Sequence, residues 1–131
     1  MPRNPGYKRA DRVAEEILRT IGQMLVEGDI KDPRLGLLSF TQVKLTDDLR
    51  EAKVFFSMIG SAAQQREIEK ILNRGSGFIK REVAHRLGLR YVPEMHFYFD
   101  VSLERAARIN ELLAEAKRTQ PPATEENDEN G

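Results

Sequence analysis

The chain of 131 residues has no cysteine. That excludes a disulfide framework, a thiolate metal site and a sulfur nucleophile, and it suits a reducing compartment. It also lacks any apolar run near the roughly 20 residues of a membrane span, and its N-terminus has no signal-peptide core. The expectation is a soluble, cytoplasmic protein with no membrane partner. Histidine is scarce: His85 and His96 are the two present, and neither stands at metal-ligand spacing from another histidine or an acid. Asp47 and Asp48 are adjacent and therefore point apart, and turns favour aspartate for backbone hydrogen bonding. No nucleophile–base pair, phosphate-binding loop or zinc motif is present, so no cofactor and no enzyme activity are expected.

The formal net charge of zero hides an asymmetry. Residues 119–131 hold Glu125, Glu126, Asp128 and Glu129 without a lysine or arginine, and the rest of the chain carries the matching positive excess. At the other end Arg3, Lys8, Arg9 and Arg12 face only Asp11. Basic segments in a neutral protein suggest a nucleic-acid partner. The length predicts one domain with tails: a flexible basic arm over 1–6, a domain over 7–118 and a disordered acidic tail over 119–131.

Hydrophobic spacing gives the elements. Val13, Ile17, Ile21, Met24 and Leu25 predict a helix from Arg9 to Glu27, stopped at Gly28. Asp32-Pro33 and Gly36 break the chain in a loop. Leu37 to Leu45 reads as a strand, with Thr41, Val43 and Leu45 on one face and Leu38 and Phe40 on the other. Ala52, Val54, Phe56 and Met58 alternate along a second strand, making an antiparallel hairpin. A helix from Ser61 or Ala62 to Asn73 follows, then a helix to Leu87 capped by Gly88. Met95, Phe97 and Phe99 alternate in a third strand, with Tyr91, Phe97 and Phe99 expected to fill core. A last helix carries Leu103, Ala106, Ile109, Leu112 and Ala116 along one stripe. The order α-β-β-α-(kink)-α-β-α predicts an α+β fold with helices on one face of a three-stranded sheet. The other face is expected to expose part of Leu38, Phe40, Phe55 and Tyr98, with Tyr98 a candidate for base stacking.

The chain is organised around Gly75-Ser76-Gly77, where two helical patterns meet. Two glycines so close cost about 1 kcal/mol each relative to alanine in a helix. They allow a kink and let a foreign backbone approach. Arg74, Lys80, Arg81, Arg86 and Arg90 surround the break against Glu82 alone. Free N–H groups at a helix start, the helix dipole and nearby cations form an anion site suited to a phosphate backbone. The plain alternative is a bend with a solvated basic face. Ser76 adds a hydroxyl donor for a phosphate.

This element order resembles the type II KH fold, in which a Gly-x-x-Gly loop between helices clamps nucleic acid. Here the break is one residue shorter. In that respect, and in four blocks, the chain resembles the ribosome-binding factor A family. The blocks are Arg9-x-x-Arg12-Val13-Ala14-x-x-Ile17, Asp47-Asp48-Leu49-x-x-Ala52-Lys53-Val54, Gly77-Phe78-Ile79-Lys80-Arg81-Glu82, and Leu87-x-Leu89-Arg90-Tyr91-Val92-Pro93-Glu94-Met95-x-Phe97. Two positions depart from the family: Gly75 stands where an alanine is usual, and Asp47 replaces a turn proline. The resemblance implies a non-catalytic factor, monomeric, that binds the free small (30S) ribosomal subunit and its 16S rRNA. It also implies support of late maturation including 5′-end processing, a link to growth in the cold, and a functional link to assembly GTPases. It implies RNA contact by Arg3, Lys8, Arg9, Arg12, Arg74, Gly75, Ser76, Gly77, Lys80, Arg81, Arg86 and Arg90. A second class of function stays open, a protein-docking module using the outer sheet face. A nuclease is a distant third, since clustered carboxylates for metal ions are missing.

Overall fold

The computed structural model describes residues 8–30 and 38–119; the expected arm over 1–6, the Asp32-Pro33 and Gly36 loop and most of the acidic tail lie outside the described residues. Four helices and three strands follow in the expected order: α1 (Arg9–Glu27), β1 (Leu38–Leu45), β2 (Glu51–Met58), α2 (Ala62–Arg74), α3 (Ser76–Leu87), β3 (Glu94–Phe99) and α4 (Ser102–Thr119). The chain divides into two compact units, one ending at Asp100 and one beginning at Val101.

In the first unit, β1 pairs antiparallel with β2, and β2 pairs parallel with β3, so β2 is central. The parallel pair is possible because α2 and α3 supply the long crossover between β2 and β3. Ile17, Ile21 and Met24 of α1, Ile68 and Leu72 of α2, and Ile79 and Val83 of α3 form one buried cluster with Val54, Phe56, Met95 and Phe97 of the sheet. Alternation on β2 and β3 sends Ala52, Val54 and Phe56 inward with Met95 and Phe97, as period-two spacing requires.

β1 breaks that alternation. Phe40 pairs with Phe56 and Gln42 with Phe55, leaving Thr41 as an extra residue in a bulge. The Thr41 hydroxyl donates to Asp100 Oδ2 at 2.5 Å. Because of the extra residue, Leu38 and Phe40 share the core face with Val43 and Leu45. The expected placement of Leu38 and Phe40 on the outer face is therefore corrected. That face keeps Phe55 and Tyr98, ring centroids 5.9 Å apart, beside Lys44, whose ammonium lies 5.7 Å from the Phe55 centroid.

In the second unit, α4 exposes Ile109, Leu112 and Leu113. No described helix is long and apolar enough to cross a membrane.

Candidate nucleic-acid interface

α2 begins with a reciprocal cap. Gln64 N–H donates to the Ser61 hydroxyl, and Ser61 N–H donates to the Gln64 side chain. The helix buries Ile68 and Leu72. Its far side carries Arg66, Lys70 and Arg74, one turn apart, along a shallow groove of about 330 Å³ shared with Ala63, Glu67 and Ile71. This ridge runs straight into the break.

Gly75 alone separates α2 from α3. Its N–H donates to Ile71 O at 3.0 Å, and its carbonyl accepts from Ile79 N–H at 3.2 Å. Its φ of −91° is open to any residue. A Cβ there would meet Ile71 O at 3.6 Å, an ordinary contact. At Gly77 a Cβ would sit 3.4 Å from Arg81 Nη1, the end of a flexible side chain. Neither glycine is demanded by backbone strain or by crowding inside the fold. What the pair does is leave the backbone bare. No side-chain hydrogen bond caps the start of α3, where the positive end of the helix dipole lies.

The candidate cations divide by what already holds them. Arg74 and Arg81 are exposed on either side of the break, and Arg9, Arg12 and Arg90 are exposed elsewhere. Lys80 donates to Glu94 Oε2 and is only part-exposed. That hydrogen bond, with the attraction of the ammonium, holds the Glu94 carboxyl below its ordinary value. Arg86 is held by three carboxylates: Glu82 at 2.9 Å, Asp29 at 2.7 Å and Glu27 at 3.1 Å. The hydrogen bonds that Arg86 donates to Glu82 and Asp29 lead in raising its pKa. Arg86 therefore ties α3 to the end of α1. Lys8 reaches Asp47 at 3.1 Å, linking α1 to the hairpin turn. Arg3 lies outside the described residues. The structure thus brings Arg74, Gly75, Ser76, Gly77 and Arg81 together and places Lys8, Arg9, Arg12, Arg86 and Arg90 on other parts of the first unit.

Three members of this surface escape the sequence reading. Arg66 and Lys70 continue the line of Arg74, and the four-residue spacing of these cations was the available signal. Phe78, the third residue of α3, is 48% exposed. Among the described residues no group of three or more His, Asp or Glu side chains is placed to hold a metal ion.

A sequence profile described as Ribosome-binding factor A matches residues 9–113. The chain belongs to the ribosome-binding factor A family. Ribosome-binding factor A of Geotalea uraniireducens is 43% identical over 109 residues, covering 83% of this chain and 88% of that protein. The factor of Gloeobacter violaceus is 46% identical over 111 residues, covering 83% and 86%. A Thermotoga maritima protein solved by solution NMR superposes with a TM-score of 0.63 at 34% identity, covering 74% of this chain and 91% of that one. An alanine in place of Gly75 would fit this backbone without displacement.

One expectation about the family's Leu87–Phe97 run is overturned. Tyr91 does not fill the core; it is 77% exposed. Gly88 ends α3 in a left-handed conformation with φ of 65°, and the chain then runs outside the core until Pro93 is buried.

Proposed function

We propose that this protein is a non-catalytic assembly factor that binds the free small ribosomal subunit through its 16S rRNA and supports late maturation, including 5′-end processing. One observation carries the reading: the uncapped first turn of α3, bare of side chains at Gly75 and Gly77, lies between exposed Arg74 and Arg81. Backbone N–H groups donate to phosphate oxygens, and the flanking guanidinium groups add charge and bidentate geometry. The ridge of Arg66 and Lys70 extends the track by two turns. In KH-like domains this is the place where a nucleic-acid backbone is clamped. The family's link to assembly GTPases, to growth in the cold and to a monomeric, cytoplasmic state belongs to the same proposal.

The competing reading, protein docking on the outer sheet face, draws less support. With Leu38 and Phe40 turned inward, the apolar content of that face shrinks to Phe55 and Tyr98 beside Lys44 and Lys53.

Co-sedimentation with small subunits, large subunits and intact ribosomes at two salt concentrations tests the proposal. Salt-sensitive association with free small subunits alone is the expected result. Arg74→Gln with Arg81→Gln should weaken it and flatten the log–log salt dependence by about one to two units. Unchanged affinity and slope in that double variant would remove the phosphate grip.

A further inference from the structure

A second concave surface includes the segment that follows Gly88, the residue that ends α3. It is a cleft of about 860 Å³ lined by Arg9 of α1, Asp48, Leu49 and Arg50 of the hairpin turn, Glu51, the Leu89–Val92 segment and Glu94. Its apolar wall comes from Leu49, Leu89 and Val92, and Tyr91 stands at its mouth. The Arg90 guanidinium lies 5.9 Å from the Tyr91 ring centroid, which leaves that ring largely open to a further stacking partner.

Three arginines, Arg9, Arg50 and Arg90, and three carboxylates, Asp48, Glu51 and Glu94, line the cleft. Asp48 accepts from the Thr46 hydroxyl at 2.7 Å and from Arg50 N–H at 3.1 Å. Glu51 faces His96 Nε2 at 3.2 Å, and Glu94 is bound by Lys80. Glu94 is thus matched by a lysine from outside the lining, while Asp48 and Glu51 are oriented by these contacts. Arg9, Arg50 and Arg90 are exposed and in no salt bridge among the described residues, although the charge of Arg50 helps to hold the Asp48 carboxyl below its ordinary value. Leu49 is also the described residue, other than glycine, that adopts a positive φ, 63°. A glycine would suit that turn position better, yet a leucine is kept there with its side chain in the wall of the cleft.

We propose that this cleft binds one unstacked nucleotide, with the base against Tyr91 and the Leu49–Leu89–Val92 wall and the phosphate among Arg9, Arg50 and Arg90. The chemistry is that of single-strand recognition: an aromatic face for the base, apolar walls, and arginines for the backbone. The proposal goes beyond the phosphate grip at Gly75, and it shares with that reading only the premise that RNA is the natural source of the nucleotide.

The test is amide chemical-shift mapping on the full-length chain, titrated with the four ribonucleoside monophosphates, inorganic phosphate, a single-stranded RNA pentamer and an acidic peptide. Saturable shifts at Leu49, Arg50 and Leu89–Val92 with nucleotide are expected. Tyr91→Ala should weaken the affinity about tenfold. Leu49→Gly relaxes the turn, keeps the fold and should still weaken binding. Arg74→Gln with Arg81→Gln should leave the cleft shifts intact, so failure of the Gly75 grip and failure of the cleft are separable. A pentamer that binds at least tenfold tighter than any monophosphate identifies RNA as the source; equal affinities identify a free nucleotide. Shifts absent from the cleft, equally strong with inorganic phosphate, or produced by the acidic peptide and indifferent to Tyr91→Ala would overturn the proposal.

Discussion

At the scale of single residues, the structure separates cations that can meet a ligand from cations the fold already uses. Lys80 and Arg86 sit in the basic helix that the sequence singles out, yet each is held by carboxylates from elsewhere in the chain. Besides Glu82, one helical turn from Arg86, their partners lie 14, 57 and 59 positions away, distances at which no local spacing rule applies. The pairing has a pH signature. Glu94 is depressed below its ordinary value of 4.5, chiefly by the Lys80 hydrogen bond. A carboxyl whose folded pKa lies below its unfolded one stabilises the fold above the unfolded value and ceases to do so as pH falls through the folded value. Glu94→Gln should therefore lower the urea midpoint at about pH 7, and the gap from the parent should close towards about pH 3. Urea titrations at the two pH values check this; a gap independent of pH would mean that the pair contributes nothing through its charge. Asp48, also depressed, chiefly by the Thr46 hydroxyl, adds a loss of stability of the same sign in the parent and the variant alike.

At the scale of elements, the open edge of β3 explains why α2 lies where it does. The Asn73 amide both donates to Phe97 O at 2.9 Å and accepts from Phe97 N–H at 2.8 Å, and Glu69 accepts from Phe99 N–H at 2.9 Å. Two side chains of one helix thus close a strand edge that would otherwise pair with another chain. Asn73→Ala should cost about 1–3 kcal/mol, because it leaves a backbone donor and acceptor without partners. Denaturant unfolding measures that cost, and faster amide exchange at Phe97 than at Val54 would localise it. Helices and strands were legible from periodicity because each has one buried face. The face assignment within β1 was not, since strict alternation cannot anticipate the extra residue at Thr41, and one extra residue exchanges the two faces. Tyr91 fails for a related reason: it follows a helix stop and belongs to no periodic segment, so aromatic character alone suggested core. The break at Gly75 was legible because two glycines inside a helical pattern have no structural advantage. Arg66 and Lys70 were visible as helical neighbours of Arg74, but they lie upstream of the glycines that drew the reading.

At the scale of the molecule, the core and both candidate binding surfaces lie in the unit that ends at Asp100. Every residue of the buried cluster falls between Ala14 and Phe97. Asp100 closes that unit: its carboxylate accepts from Thr41 in the bulge, and its N–H donates to Phe56 O at 2.7 Å. A chain ended after Asp100 keeps these bonds, the cluster, the Gly75 break and the arginine cleft. It should unfold cooperatively, since the whole buried cluster lies within it. It should also retain salt-sensitive association with small subunits, because Arg74 and Arg81 remain. Ending the chain after Phe99 removes both Asp100 bonds and should destabilise it further, by about 1–3 kcal/mol. Urea unfolding of the two truncations beside the full chain, followed by co-sedimentation of the longer one, decides the matter. Loss of cooperative unfolding in the longer truncation would mean that α4 is part of the folding unit. Retained folding with lost binding would move the ribosome-binding surface to the segment beyond Val101.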